Sequence, residues 1–227
     1  MTQRSGVMTR AEKSIVVQRT RLKICGLTRR QDVEAAIAAG ADAIGFVLWE
    51  GSKRAVTPEQ LANLTKHLPP FVARVGLFVN ASRHHIEQCL PWLDVLQFHG
   101  DESPSDCATF GCPWFKALRM KDDLDLLLEA ERYAEANALL LDAWVPHQPG
   151  GTGQCFDWQR IPAELASSII LAGGLTADNV ADAIHQVGPY AVDVSGGVES
   201  TPGIKSIAAM QAFASTVQQA NAQRFLT

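Results

Sequence analysis

Residues 168–197, SIILAGGLTADNVADAIHQVGPYAVDVSGG, carry the clearest indication of the fold. They contain two short apolar runs, SIILAG and YAVDVS, and between them a helical pattern that opens at Thr176 and Asp178. Near-continuous apolar runs are typical of strands buried on both faces, so this strand–helix–strand order predicts parallel strands joined by a crossover helix. A glycine pair follows each strand, at 173–174 and at 196–197.

The same unit recurs along the rest of the chain at intervals of roughly 20 to 30 residues. Eight such units predict a single-domain α/β protein, a closed (β/α)8 TIM barrel. An open doubly wound sheet uses the same alternation but rarely carries eight regular units in about 200 residues. The strand candidates are LKIC (22–25), AIGFV (43–47), ARVGLFV (73–79), VLQF (95–98), WFKAL (114–118), ALLLD (138–142), SIILAG (168–173) and YAVDVS (190–195).

Residues with capping preferences place several helix ends. Thr28 precedes the alanine-rich stretch QDVEAAIAA, and Gly40 follows it where a left-handed cap is needed. TPEQ at 57–60 predicts a capping box, and SP at 103–104 opens the fourth helix in a similar way. The run PGIKSIAAMQAFASTVQQA at 202–220 is predicted as the closing helix.

The composition is that of an ordinary soluble globular protein, with 227 residues, 47% hydrophobic and 19% charged, and a formal net charge of −4. This charge balance does not indicate nucleic-acid binding, and no apolar run reaches the roughly 18 residues of a membrane-spanning helix. The five cysteines are odd in number and lack CxxC spacing, so neither a disulfide framework nor a metal site is expected.

Residues 1–20 are interpreted as a flexible N-terminal extension, and residues 21–227 as one catalytic barrel domain. The extension lacks a secretory apolar stretch with a small-residue cleavage site. Its arginines and serines leave an organellar transit peptide open, but Glu12 and the short length weaken that alternative. A cytoplasmic location is therefore expected.

Two reactive side chains stand at strand ends, where barrels of this kind build their active sites. Cys25 ends the first strand and could act as a general base if a nearby cation such as Lys23 helps it to ionise; the alternative is a small buried hydrophobe. Asp142 ends the sixth strand, where a carboxylate is costly unless it reaches the barrel mouth; the alternative is a cap or an ion pair. Together they could bracket a substrate as base and acid.

The glycine pairs Gly173–Gly174 and Gly196–Gly197 follow strands seven and eight. Glycines let backbone N–H groups approach phosphate oxygens closely, and this is the usual phosphate site of such barrels. Ordinary turns are the alternative interpretation. The sequence thus predicts a phosphate site after strands 7 and 8.

Two loops supply further substrate-binding candidates. Arg54 after strand two could clamp a carboxylate bidentately, which Lys53 could not match. His99 after strand four could hydrogen-bond substrate or tune the site, although a lone histidine is more often structural.

The long loop PHQPGGTGQCFDW after the sixth strand lacks the GKS/T ending of a nucleotide-binding P-loop. Gly150, Gly151 and Gly153 suit a lid or a substrate-side loop, or a simple exposed turn. Phe156 and Trp158 are predicted to anchor it.

The ordered motifs of the chain resemble the phosphoribosylanthranilate isomerase family of tryptophan biosynthesis, from Leu22 to Lys205. The first-strand cysteine combined with GGTGxxFDW is the specific part, because other phosphate-binding barrels share the glycine loops. Phe98, where an aliphatic residue is common, and Ser206, where aspartate is frequent, depart from the family pattern. The motifs are KICGLT, GFVLWEGSKRAV, LQFHGDE, LLLDAW, GGTGQCFDW, LAGGLTADNV and DVSGGVES.

The resemblance implies a cofactor-independent Amadori rearrangement of N-(5-phosphoribosyl)anthranilate, a small-molecule phosphoribosyl substrate. The residue matching Asp142 would protonate the ribose ring oxygen, and the residue matching Cys25 would remove the C2′ proton. The residue matching Arg54 would hold the anthranilate carboxylate. A monomer or a homodimer is expected, with the monomer as the default.

The sequence leaves three other functions open. A sister isomerase of histidine or tryptophan synthesis would use a pair of aspartates, which Cys25 argues against. A non-catalytic phosphate-metabolite sensor would keep the glycine loops but need neither Cys25 nor Asp142. A thiol redox protein would need a resolving cysteine near Cys25.

Overall fold

The computed structural model describes residues 19–143 and 155–224, in which eight parallel strands close into one barrel. Each strand pairs with its neighbours in chain order, and β8 pairs with β1 to complete the ring. The predicted fold class and all eight predicted strands are confirmed. The strands are β1 (Arg21–Ile24), β2 (Ala43–Val47), β3 (Ala73–Phe78), β4 (Val95–Phe98), β5 (Trp114–Arg119), β6 (Ala138–Asp142), β7 (Ile169–Leu171) and β8 (Ala191–Val194).

Eight α-helices occur within the described ranges. Thr57 and Gln60 form the predicted capping box of the second helix, and Ser103 caps the fourth. Gly40 follows the first helix with φ +92°, the left-handed conformation predicted for it. The helices are α1 (Arg30–Ala38), α2 (Pro58–Thr65), α3 (Arg83–Cys89), α4 (Pro104–Cys107), α5 (Leu126–Arg132), α6 (Ala163–Ala166), α7 (Val180–Val187) and α8 (Ile207–Arg224).

Two predicted helix starts are wrong because the threonines bind other groups. The helix α1 begins at Arg30, and the Thr28 hydroxyl donates to the Gly203 carbonyl oxygen at 2.6 Å. The helix α7 begins only at Val180, since the Thr176 N–H donates to the Asn179 side chain and holds 176–179 as a turn.

The predicted closing helix also starts later than expected. Residues Glu199–Thr201 (β9) and Ile204–Lys205 (β10) form a short antiparallel hairpin, and Gly203 turns between them with φ +85°. The helix α8 therefore begins at Ile207. This hairpin places Glu199 and Lys205 beside the barrel mouth.

The core has two parts, as expected when strands are buried on both faces. A large apolar layer fills the space between barrel and helices. A smaller cluster fills the barrel interior, and its members alternate along each strand because successive side chains point to opposite faces. The interior residues are Val75, Phe115, Ala117, Ala138, Leu140, Ile170, Ala172 and Ala191.

The predicted extension lies mostly outside the described residues and stays a prediction. Within the described part, Arg19 pairs with Asp42, and the wholly buried Thr20 N–H donates to Asn221 on α8 at 2.7 Å. Residues 19 and 20 therefore already contact the barrel. None of the helices in the described ranges is long and apolar enough to cross a membrane.

Candidate active site

A cavity of about 440 Å³ opens at the C-terminal ends of the barrel strands. Parallel strands bring their C-terminal ends to one face, so residues far apart in the chain meet there. All eight residues singled out from the sequence line this cavity: Cys25, Arg54, His99, Asp142, Gly173, Gly174, Gly196 and Gly197.

Cys25 follows β1 and is 4% exposed. Its backbone N–H donates to the Val194 carbonyl oxygen at 2.8 Å, which fixes it against β8. The neighbouring strand makes room for its side chain, because a Cβ at Gly45 would lie 2.7 Å from the Cys25 Sγ and 3.1 Å from the Lys23 Nζ. Gly45 therefore lets the thiol and the ammonium group share one space.

The ammonium group of Lys23 is held by an ion pair inside the barrel, with its Nζ 2.8 Å from Asp193 Oδ1. Burial alone would lower the pKa of Lys23, but Asp193 and Cys25 raise it overall, so the lysine stays charged. Burial raises the pKa of the Cys25 thiol; Lys23 and Lys205 act in the opposite direction and only partly offset it. Burial therefore opposes the thiolate form, and the two lysines favour it.

Arg54 forms a bidentate ion pair with Glu199 of β9, and both N–O distances are 2.7 Å. Lys205 Nζ also donates to Glu199, at 2.9 Å, and to the Ser195 carbonyl oxygen at 3.0 Å. Burial would raise the pKa of Glu199, but Arg54 and Lys205 outweigh it and hold that pKa below its usual value. The hairpin thus ties the loop after β2 to the loop after β8.

Asp142 faces the cavity beside His99, whose Nε2 lies 3.4 Å from Asp142 Oδ2. The fully buried Gln97 donates from its amide to His99 Nδ1 at 3.0 Å. When Nδ1 accepts this bond, Nε2 carries the imidazole proton and can donate to the carboxylate. Gln97, His99 and Asp142 form a polar chain across β4 and β6.

The two glycine loops meet over β7 and β8. A Cβ at Gly197 would lie 2.0 Å from the Leu175 carbonyl oxygen, so only glycine fits between the loops. Gly173 and Gly174 have φ of +83° and +66°, and their N–H groups donate no hydrogen bond to the described residues. Gly196 begins a 3-10 turn, whose first N–H groups have no partner inside the turn. The arrangement presents backbone donors to an anion.

Several polar residues that line the cavity were not site candidates from the sequence, among them Gln97 and Arg119. Phe115 and Ala117 face the barrel interior, so Arg119 two residues further on faces the mouth from the same strand. In register, Arg119 of β5 is the partner of Asp142 on β6. Counting alternate residues beyond the apolar run WFKAL could have found it.

The glycine-rich loop prediction lies partly outside the described residues, since Gly150, Gly151 and Gly153 fall in the segment 144–154. Phe156 and Trp158 are partly buried and pack against the outer core, as expected for anchors. No group of three or more histidine, cysteine or carboxylate side chains in the described ranges is arranged to hold a metal ion.

The chain matches known proteins along most of its length. The family model for N-(5′-phosphoribosyl)anthranilate (PRA) isomerase matches residues 22–216. A relative of that name from Chromohalobacter salexigens is 59% identical over 206 residues, which cover 91% of this chain and 98% of the relative.

Two solved structures show the same architecture. One is a phosphoribosyl anthranilate isomerase in complex with reduced 1-(o-carboxyphenylamino)-1-deoxyribulose 5-phosphate; it is 34% identical, with a TM-score of 0.77, and the match covers 88% of this chain and 99% of the other. The second shows monomers of the dimeric enzyme from Thermotoga maritima, 33% identical, with a TM-score of 0.72 and coverage of 88% and 98%. Because the family model matches residues 22–216 and a 59% identical relative is covered almost in full, the chain belongs to the N-(5′-phosphoribosyl)anthranilate isomerase family.

Proposed function

We propose that this isomerase converts N-(5′-phosphoribosyl)anthranilate to 1-(2-carboxyphenylamino)-1-deoxyribulose 5-phosphate with Asp142 as general acid and Cys25 as general base. The observation that carries the assignment is that a carboxyl group and a thiol face one cavity, whose wall includes two glycine loops. An acid, a base and an anion site are what this rearrangement of a phosphorylated sugar requires.

The proposed chemistry proceeds in two proton transfers and a ketonisation. Asp142 gives its proton to the ribose ring oxygen as the C1′–O bond breaks, and the amine nitrogen supplies electrons to form an iminium ion. The Cys25 thiolate then takes the C2′ proton, and the C–H electrons form the C1′–C2′ double bond of an enolamine. A proton returns to C1′ while the C2′ hydroxyl loses one, which leaves the ketone.

Charge balance supports Cys25 as the base. The groups around it comprise three cations, Lys23, Lys205 and Arg54, and two carboxylates, Asp193 and Glu199. Their formal sum is one positive charge, so a thiolate completes a neutral cluster. This surplus of cationic charge favours ionisation, although burial opposes it.

The carboxyl group of Asp142, which acts as the acid in its protonated form, is held by its neighbours. His99 contacts Asp142 at 3.4 Å and is itself fixed by Gln97 at 3.0 Å, so the acid has a defined orientation. A positioned acid within reach of the reacting oxygen is worth about 10²- to 10⁴-fold in rate. We propose His99 as a substrate-binding residue that also orients Asp142.

We propose Gly173, Gly174, Gly196 and Gly197 as the phosphate site and Arg54 as a contact for the anthranilate carboxylate. The glycine loops offer N–H donors with no room for side chains between them. In Arg54, Nε and Nη2 are committed to Glu199, so Nη1 is the group left for the substrate.

The test measures the loss of anthranilate-type fluorescence when the purified protein meets freshly generated substrate. We expect turnover by the wild type and a loss of at least about 100-fold in kcat for Cys25→Ala and for Asp142→Asn. Cys112→Ala, a half-buried cysteine away from the cavity, is the matched control and keeps wild-type rates. An inert but folded wild type would refute the assignment, and active Cys25→Ala would refute the role of the base.

The quaternary state is proposed as monomer or homodimer, which sedimentation of the full chain distinguishes. The enzyme from Thermotoga maritima is described as dimeric. A cytoplasmic location is proposed as well, because all five cysteines are free thiols, as is usual in a reducing compartment.

A further inference from the structure

Two arginines line the cavity, and they are in different situations. Nε and Nη2 of Arg54 both donate to the carboxylate of Glu199, each at 2.7 Å. The guanidinium of Arg119 makes no hydrogen bond or ion pair with any residue in 19–143 or 155–224. A cation in a partly buried site without an anionic partner is costly, which indicates that a ligand supplies the anion.

The neighbouring chain segment cannot provide an acidic side chain for Arg119. Asp142 is its register partner on β6, yet no ion pair within 4.0 Å joins them. The residues that follow, 144–154, read WVPHQPGGTGQ and contain neither aspartate nor glutamate. After β5, the side chain of Asp122 is exposed to solvent and lies 4.0 Å from Arg160.

The position of Arg119 in the ring of strands indicates which anionic group of the substrate lies near it. The glycine loops that we propose for the phosphate follow β7 and β8, and Cys25 and Asp142 follow β1 and β6. A sugar phosphate held there with its reacting carbons between Cys25 and Asp142 directs its arylamine away from the phosphate, toward the opposite strands. The strands opposite β7 and β8 in a ring of eight are β3 and β4, and Arg119 stands next to them on β5.

We infer that Arg119 is a specificity-determining residue that binds the carboxylate of the substrate's arylamine from the β5 side of the cavity. A guanidinium matches a planar carboxylate through two parallel N–H donors, which suits an ortho-carboxyl group on an aromatic ring. The inference rests on the proposed function, and it gives the carboxylate a contact in addition to the remaining Nη1 of Arg54.

The experiment compares two stable analogues by calorimetric titration. One is reduced 1-(o-carboxyphenylamino)-1-deoxyribulose 5-phosphate, and the other is its phenylamino counterpart without the carboxyl group. For Arg119→Met we expect binding of the carboxylated analogue to weaken by about 10- to 100-fold, the size of a charged hydrogen-bonded pair. Binding of the phenylamino analogue stays within about twofold of the wild type, which also reports that the cavity is folded.

Two further variants sharpen the comparison. Arg119→Lys keeps the charge but loses the planar fork, so we expect an intermediate loss for the carboxylated analogue alone. Arg83→Met removes a surface arginine that pairs with Glu87 and leaves both affinities unchanged. If Arg119→Met and Arg119→Lys weaken both analogues equally, or neither, the inference is wrong while the proposed function stands. A wild type that binds neither analogue overturns both.

Discussion

Burial and the neighbouring cations act in opposite directions on the pKa of the Cys25 thiol. The thiol is 4% exposed, and desolvation raises its pKa, while the ammonium of Lys23 lowers it. A thiolate is the form that can accept a proton, so under the proposed mechanism the lysine sets the fraction of the enzyme in which Cys25 can act as the base. Asp193 keeps that lysine in place and charged.

Lys23→Met tests this dependence. Removing the cation raises the pKa of Cys25 further, so the ascending limb of the kcat/KM pH profile shifts to higher pH. At any pH below the pKa of the thiol, kcat/KM of the variant falls about tenfold for each unit by which the pKa of Cys25 rises, because the thiolate fraction falls by that factor. The rate of alkylation by iodoacetamide, followed over the same pH range, reports the thiol directly.

The variant leaves Asp193 buried without its partner, so a paired substitution controls for stability. Because Asp193 raises the pKa of Cys25, adding Asp193→Asn moves the limb back toward lower pH. Lys205 and Arg54 remain as the other cations near the thiol in all variants. An unshifted limb in Lys23→Met would show that Lys23 does not tune the base.

At the scale of elements, a buried ion pair fastens the loop after β4 to β5. Lys116 and Glu102 are paired at 3.1 Å, with side chains 3% and 8% exposed. Glu102 also accepts from the Asn80 N–H at 2.7 Å, and the Tyr133 hydroxyl donates to the Glu102 carbonyl oxygen at 3.0 Å. This network lies on the outer side of the barrel and supports the loop that follows His99.

We expect Lys116→Met to lower the free energy of unfolding by about 3–5 kcal/mol, since it leaves Glu102 buried without its cation. The exposed pair Arg83–Glu87 provides the comparison, because Arg83→Met costs at most about 1 kcal/mol. Urea unfolding of both variants at one pH measures the difference. If both variants lost the same free energy of unfolding, burial of the Lys116–Glu102 pair would not be what makes it important for stability.

At the scale of the whole molecule, arginine–carboxylate pairs join elements distant in the chain, and they make stability depend on pH. Arg74 holds the pKa of Asp94 below its ordinary value of 3.8. Burial would raise the pKa of Asp42 and Glu199, but Arg19 and Arg54 respectively lower both overall.

Carboxyls with a lowered pKa in the folded state stabilise the fold above their unfolded pKa and lose that contribution as pH falls through the folded value. We therefore expect Tm to fall progressively as pH drops below about 4.5. Asp94→Asn removes one of these groups, so its Tm is lower at pH 7 but declines less between pH 5 and pH 3. Parallel Tm curves for the two proteins would rule out a contribution from Asp94.

The barrel could be predicted from the sequence, because each buried strand is an apolar run, and the order of the strands along the chain indicates which strand ends meet. The same rule located Cys25, Asp142 and the glycine loops. Helix starts at Thr28 and Thr176 could not be read this way, since a threonine hydroxyl or its N–H can bind a group outside the helix. The preference of threonine for helix N-caps does not show whether another group competes for its hydroxyl or N–H.

The partners of the polar residues in the site became known from the three-dimensional structure. The pairing of Arg54 with Glu199 crosses from β2 to a hairpin that the sequence did not reveal, and Lys23 reaches Asp193 only because β8 closes against β1. Arg119 follows an apolar run like any surface arginine, and barrel closure turns it toward the cavity. The physical reason is that apolar periodicity is local along the chain, whereas the partners of a buried charge are chosen by the three-dimensional approach of distant segments.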